Sequence, residues 1–255
     1  MLHKATTLQT YQLDSLDGEM GRVKDFYFDD QTWSIRYLIA DTGTWLSDRK
    51  VLISPHALLA AISKEKNILV SLTKAQIEES PSLDTDKPVS RQFEEHYHGF
   101  YGWPGYWAGT FPMAADYPLV GTAPAMVAIP ETSPILTEEE QESWNPHLRS
   151  TKEVLADKIE AKDGSIGHVD DFIIDEEHWI IRYLVIDTVN WWPGKKVLIS
   201  PKWIERISWE TSTVFVNLTR DAIRSSPEYT DEALVSREYE TGLYRHYNIP
   251  SYWES

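Results

Sequence analysis

One stretch of the chain occurs twice. Trp33 to Pro55 reads WSIRYLIADTGTWLSDRKVLISP, and Trp179 to Pro201 reads WIIRYLVIDTVNWWPGKKVLISP. The copies lie 146 positions apart, and that offset holds without a gap from Leu2/Leu148 to Trp107/Trp253. Over those 106 positions 36 pairs are identical, where unrelated chains would share roughly 6 on ordinary residue frequencies. An ungapped register is a strong constraint, because one inserted residue in a strand turns every later side chain to the other face. Both copies are therefore expected to share one fold. Two copies are too few for a solenoid, which needs about three to bury a continuous core. Each is expected to close its own core, giving a repeat at 1–107, a connecting segment at 108–147 and a second repeat at 148–255.

Within a copy the signals are those of short strands. Residues 2–13 and 148–159 are read as one short strand each. Asp17-Gly18 and Asp163-Gly164 are turn signals, with Gly21 and Gly167 at the start of the next strand. That strand, RVKDFYFD over 22–29 and HVDDFIID over 168–175, carries apolar residues on both faces. Such a pattern suits a small closed barrel better than a one-sided sheet. Ser34–Ala40 and Ile180–Ile186 are rich in β-branched and aromatic residues, the composition of strands. KVLIS (50–54, 196–200) is the next strand, stopped by Pro55 and Pro201, which cannot donate to a ladder. After a further short strand, Thr73-Lys-Ala-Gln76 has the spacing of a capping box. The second copy keeps Thr219 but has Ala222 where Gln76 stands, so its cap should be weaker. A last helix is expected from Ser90 and Ser236, running into the aromatic tails FYGWPGYW and HYNIPSYW.

Composition limits the function classes. There is no cysteine among the 255 residues, which removes disulfides, thiolate metal sites and a Cys nucleophile. The opening MLHKATTLQTYQ lacks the apolar core of a signal peptide, and no run approaches the ~20 apolar residues of a membrane span. A soluble, cytoplasmic protein is expected. Net charge is −16, with no Lys or Arg in 108–147. Lacking a basic patch, the chain has no electrostatic attraction for a phosphate backbone, so neither nucleic acid nor an anionic membrane is an expected partner. The connecting segment is rich in Pro, Ala and Thr and then acidic. A flexible linker and an ordered strap both fit it, and its apolar residues, Met113 and Leu119 among them, favour the strap.

The motifs D-G-x-x-G-x-V-x-D-F, I-R-Y-L and K-V-L-I-S-P, present in both copies, resemble the PRC-barrel family. The resemblance covers nearly all of both repeats and implies a mainly β fold. Two small PRC-type β-barrels would be related by internal duplication about a pseudo-two-fold, each with a short C-terminal helical segment. The family takes its name from a barrel of the photosynthetic reaction-centre H subunit and also occurs in a ribosome-maturation factor, in both as a docking and scaffolding module. Neither the membrane-spanning helix of the first nor the extra domain and basic charge of the second is seen here. The chain is more similar to free-standing bacterial members with two barrels.

Several recurring residues are candidates for a site. Trp45 and Trp191, the latter followed by Trp192, lie in a turn between strands, and Tyr106, Trp107, Tyr252 and Trp253 end the two tails. Aromatic residues of this kind either fold back onto a barrel end or anchor a partner. Arg36, Asp41, Arg182 and Asp187 are candidate polar anchors. Five positions apart on one strand, the Arg and Asp point to opposite faces, so each is expected to satisfy its own neighbour. An Arg among aromatics can alternatively recognise a carboxylate or phosphate. The acidic turns at Asp25, Asp29, Asp30 and at Asp170, Asp171, Asp175, Glu176 lack the calcium-loop pattern and read as solvated hairpin turns. His96 and His98 lack a third ligand at zinc spacing, so no metal and no cofactor is expected.

No nucleophile elbow, H-E-x-x-H helix, phosphate loop or dinucleotide fingerprint is present. The expected function is accordingly a non-enzymatic scaffold or adaptor acting on a protein partner, either as a homodimer or as a pseudo-dimeric monomer. The alternatives are a binder of a small apolar, quinone-like ligand between the barrels, or a soluble relative of the H-subunit barrel.

Overall fold

The computed structural model describes residues 1–46, 50–59, 66–81, 89–107, 147–188, 195–230 and 235–254. The chain is mainly β. In order, its elements are β1 (Leu2–Lys4), α1 (Ala5–Leu8), β2 (Gln12–Ser15), β3 (Gly18–Asp29), β4 (Ile35–Asp41), β5 (Val51–Ile53), β6 (Asn67–Leu69), α2 (Lys74–Glu79) and α3 (Arg91–Tyr101). There follow β7 (Leu148–Ser150), α4 (Thr151–Val154), β8 (Lys158–Ala161), β9 (Gly164–Asp175), β10 (Ile180–Asp187), β11 (Lys196–Ile199), β12 (Ile204–Ser208), β13 (Thr213–Val216), α5 (Arg220–Arg224) and α6 (Arg237–Tyr247). The long hairpin strands β3 and β9 have bounds separated by the 146-residue offset of the sequence repeat.

Two compact units form. A proximal unit spans Gln9–Arg149, and a distal unit combines Ser150–Ser255 with Met1–Leu8. The proximal sheet has the order β5-β4-β3-β2-β6, with β7 also paired to β3. The distal sheet has the order β11-β10-β9-β8-β13-β12, with β1 also paired to β9. Most ladders are antiparallel, but β2–β6 and β8–β13 are parallel.

The expected closed barrels need correcting. Among the described residues neither ladder returns to its first strand, one running from β5 to β6 and the other from β11 to β12, with single bridges at Leu58–Val70 and Lys196–Tyr229 beyond them. The reason lies at Pro55 and Pro201, which have no N–H to continue a ladder. Each opens a 3-10 turn capped by the preceding serine, Ser54 or Ser200. In the distal unit β12 starts directly after that turn, so the two ends of its sheet are joined by the chain rather than by hydrogen bonds.

The cores follow from the apolar runs. Val51, Leu52 and Ile53, like Val197, Leu198 and Ile199, are all buried, each contributing roughly 1.5–3 kcal/mol relative to exposure. Asp171 through Asp175 are buried without alternation, which requires cover on both faces of β9.

Two glycines inside the long strands meet a tighter demand. Gly21 (φ 138°) and Gly167 (φ 150°) lie so close to the Asp41 and Asp187 carbonyls that a Cβ would sit 2.0 and 1.9 Å from the oxygen. Only glycine permits that approach.

Helix starts match their sequence signals. Thr73 caps α2 with the full reciprocal box to Gln76, while Thr219 caps α5 through Ala222 N alone. Ser90 and Ser236 cap α3 and α6. Asp17 and Asp163 do more than turn the chain, since each carboxylate also accepts from the first backbone N–H of the following helix, at Lys74 and Arg220.

Candidate functional site

The most elaborate side-chain arrangement occurs once in each unit. It is organised around a carboxylate on the last helix, Glu94 on α3 and Glu240 on α6, which are 0 and 2% exposed. A charge so far from water needs several donors to be tolerated. Glu94 Oε1 accepts from the Tyr37 hydroxyl at 3.1 Å and the Tyr106 hydroxyl at 2.7 Å, and Oε2 lies 3.2 Å from Arg91 Nη1. Glu240 repeats this with Tyr183 at 2.8 Å, Tyr252 at 3.0 Å and Arg237 at 3.1 Å.

These contacts fix the aromatic tail. Gly102 and Asn248, both in the left-handed region, end the helices and turn the chain back so that Tyr106 and Tyr252 reach the carboxylates. Arg36 Cζ lies 3.8 Å from the Tyr106 ring centre, and Arg91 Cζ 4.7 Å from that of Trp107. In the distal unit Arg182 lies 4.2 Å from Tyr252 and Arg237 4.1 Å from Trp253. The result is an alternating arginine–aromatic stack ending in a half-buried tryptophan. Burial, reinforced by the adjacent Glu240 charge, pushes the Tyr252 hydroxyl up to about 12, and raises those of Tyr37, Tyr106 and Tyr183 as well. All four therefore remain protonated donors at neutral pH.

The proximal cluster differs in holding His98 where the distal one has Tyr244. His98 Nδ1 lies 3.1 Å from the Pro104 carbonyl, which can only accept, so that nitrogen carries the proton. Nε2 faces the Tyr37 hydroxyl at 3.2 Å. Desolvation lowers the His98 pKa to about 4, with His56, Arg36 and Arg91 adding to the effect.

Arg36 and Arg182 do not pair with Asp41 and Asp187. Arg36 Nη2 reaches Asp29 Oδ2 at 3.3 Å, and Arg182 binds Asp175 Oδ2 through Nε and Nη2 at 3.1 and 2.7 Å. Asp41 instead accepts from Gly43 N in its own turn at 3.1 Å. Trp45 is half-buried, with Lys74 Nζ 5.6 Å from its ring centre, and lines a shallow concavity with Arg22 and Asp41. Trp191, Trp192 and nearly all of the connecting segment lie outside the described residues.

The reading of the acidic residues as solvated turns also needs correcting, for Asp25, Asp29, Asp171, Asp175 and Glu176 are all at most 9% exposed. Their oxygens serve neighbours: Asp29 accepts from Gln31 N and Thr32 N, and Asp171 from Thr6. Asp175, Glu177 and His178 approach one another closely, but Asp175 is already held by Arg182 and His178. Burial acts to raise its pKa, and those two partners outweigh it, leaving the carboxyl below its usual range.

Sequence reasoning singled out the tails and Arg36/Arg182 but missed Glu94/Glu240, Arg91/Arg237 and Tyr37/Tyr183. The available signal was V-S-R-x-x-E, identical at 89–94 and 235–240. It sets an acid one turn beyond an arginine, on the helix that leads into the tail.

A mainly β chain whose paired sheets each carry a C-terminal helix and a folded-back aromatic tail is the class these features define. Residues 15–77 match the PRC-barrel domain family, a span running from the last residue of β2 into α2. The resemblance expected over nearly all of both copies is thus found over residues 15–77 of the first. No curated protein matches the chain. Among the described residues no helix is long and apolar enough to cross a membrane.

Proposed function

We propose that the chain is a non-enzymatic, cytoplasmic scaffold or adaptor with two PRC-barrel-type units, and that the arginine–tyrosine–tryptophan stacks are its docking surfaces. The observation that carries this reading is the recurrence of one stack, Arg36–Tyr106 with Arg91–Trp107 and Arg182–Tyr252 with Arg237–Trp253. Trp, Tyr and Arg dominate the binding energy of protein interfaces. A partner gains most from such anchors when they are already ordered, because little freedom is then lost on association. The buried glutamates supply that order. Glu94, Glu240 and the tyrosine hydroxyls are engaged with one another, which favours a binding role over a catalytic one.

The test is a photoreactive benzophenone side chain installed at Trp107 or at Trp253, with exposed Glu95 as the control position. The reading expects one reproducible adduct from both tail positions and none from Glu95. Tail positions that label no more than the control would overturn it.

A further inference from the structure

The opening segment of each sequence copy is built into the unit formed by the rest of the other copy. Residues 1–8 precede the proximal unit in the chain, yet β1 pairs with β9, as Leu2↔Asp175, His3↔Ile174 and Lys4↔Ile173. The equivalent segment of the second copy, β7, pairs with β3 of the first. The same positions make both contacts. Glu176 N donates to Met1 O at 3.0 Å, and its counterpart Asp30 N donates to His147 O at 2.8 Å. His3 Nε2 lies 2.9 Å from Glu176 Oε2, and its counterpart Arg149 Nε lies 3.4 Å from Asp30 Oδ2. The donated segment is deeply committed, with Ala5 and Leu8 2 and 0% exposed, and Lys4 and Thr6 bound to the buried Asp171.

We infer that β9 is an exchangeable strand-docking site whose partner is the Met1–Lys4 strand of a second copy of this chain, so that two chains can assemble by trading Met1–Leu8. Each of these contacts is between the segment and its acceptor, and none depends on the two belonging to one molecule. A second copy presents the identical segment and forms the identical bonds. Exchange between two chains therefore changes only connectivity, and closes as a two-fold dimer. Three residues, Gln9 to Tyr11, separate α1 from β2, and short hinges favour swapping over folding back. The covalent link gives the intramolecular form an effective concentration in the millimolar range, so the monomer dominates when dilute and the exchanged dimer grows with protein concentration. Released only by withdrawing Leu8 and Ala5 from a core, either form interconverts slowly. The inference stands independently of the docking role given to the aromatic stacks.

The absence of native cysteine makes a direct test possible. His3→Cys in one full-length chain and Ile174→Cys in another, differing in mass by a short C-terminal tag, are unfolded together, refolded at increasing concentration and oxidised. A His3→Cys/Ile174→Cys chain reports the register within one molecule, and wild-type chain refolded alongside, read by native mass spectrometry, shows whether dimer forms without any substitution. The expected result is a disulfide between the two single variants, rising with concentration and absent when Glu210→Cys replaces Ile174→Cys, together with a wild-type dimer. Wild-type chain that stays monomeric up to about millimolar concentration would overturn the inference. So would a dimer whose single variants fail to crosslink while the double variant closes internally.

Discussion

Trp103 and Trp203 stand at positions that do not correspond between the two sequence copies, yet each lies against the same two positions of the last helix in its own unit. Trp103 stacks on Tyr101 at 4.4 Å and meets His98 edge-on at 6.2 Å. Trp203 meets Tyr247 at 4.7 Å and Tyr244 at 5.4 Å. The counterpart of Trp103 is Ile249, and that of Trp203 is Ala57. One indole is delivered from the tail in the proximal unit and from the 3-10 turn in the distal unit, with a smaller residue opposite in each case.

This exchange of volumes predicts a coupled pair. Ala57→Trp alone should overpack the proximal core and cost about 1–3 kcal/mol. Added to Trp103→Ile, the same change should be far less costly or stabilising. A urea-denaturation double-mutant cycle measures the coupling, and additive effects would show that the two indoles do not share a place.

His98 sets an acid sensitivity. Its folded pKa is lowered to about 4 from 6.5, so below pH 6.5 the unfolded chain takes up a proton that the folded chain refuses. Stability therefore falls as pH drops from 6.5 to about 4, by roughly 3 kcal/mol at 1.36 kcal/mol per unit. His98→Gln, which keeps a donor and an acceptor, should flatten that part of the profile for the proximal unit. An unchanged slope between pH 7 and 4 would contradict the assignment.

Gly21 and Gly18 share a positive φ, 138° and 131°, but not their surroundings. A Cβ at Gly18 would find its nearest atom, Lys74 Nζ, at 3.9 Å, against 2.0 Å to the Asp41 carbonyl at Gly21. Gly21→Ala should cost well over the 1–3 kcal/mol of backbone strain alone, and Gly18→Ala no more than that strain. Thermal melts of the two variants give the comparison.

Thr73→Ala should lose about 1 kcal/mol, because it removes the hydroxyl that accepts from Gln76 N and donates to Gln76 Oε1, while the backbone N–H of residue 73 keeps its own bond to Gln76. Thr219→Ala should lose less, since only one bond is present there. Equal losses would mean that the bond from the Thr73 hydroxyl to the Gln76 side chain contributes nothing.

The repeat made much of this legible. Strand positions, the proline stops, the Thr73 box and the serine caps of α3 and α6 could all be read locally, because each depends on a few neighbouring residues. Open sheets could not, as two-faced hydrophobicity in β3 and β9 reports cover on both sides without saying whether hydrogen bonds close the ring. Nor could the placement of β1 and β7, since a three-residue strand carries no mark of which acceptor it will join. In the sequence nothing distinguishes the buried glutamates from the surface charges of a helix. Their partners, Tyr37 and Tyr106, lie 57 and 12 positions away, beyond any local pattern.

Those glutamates hold the aromatic tails in place. Glu94→Ala removes the acceptor shared by Tyr37, Tyr106 and Arg91, and hydrogen–deuterium exchange reads the outcome segment by segment. Amide exchange over 102–107 should rise strongly while β3 and β4 keep their protection and the distal tail, still held by Glu240, is unaffected. Unchanged protection over 102–107 in a folded Glu94→Ala chain would show that the tail does not depend on Glu94.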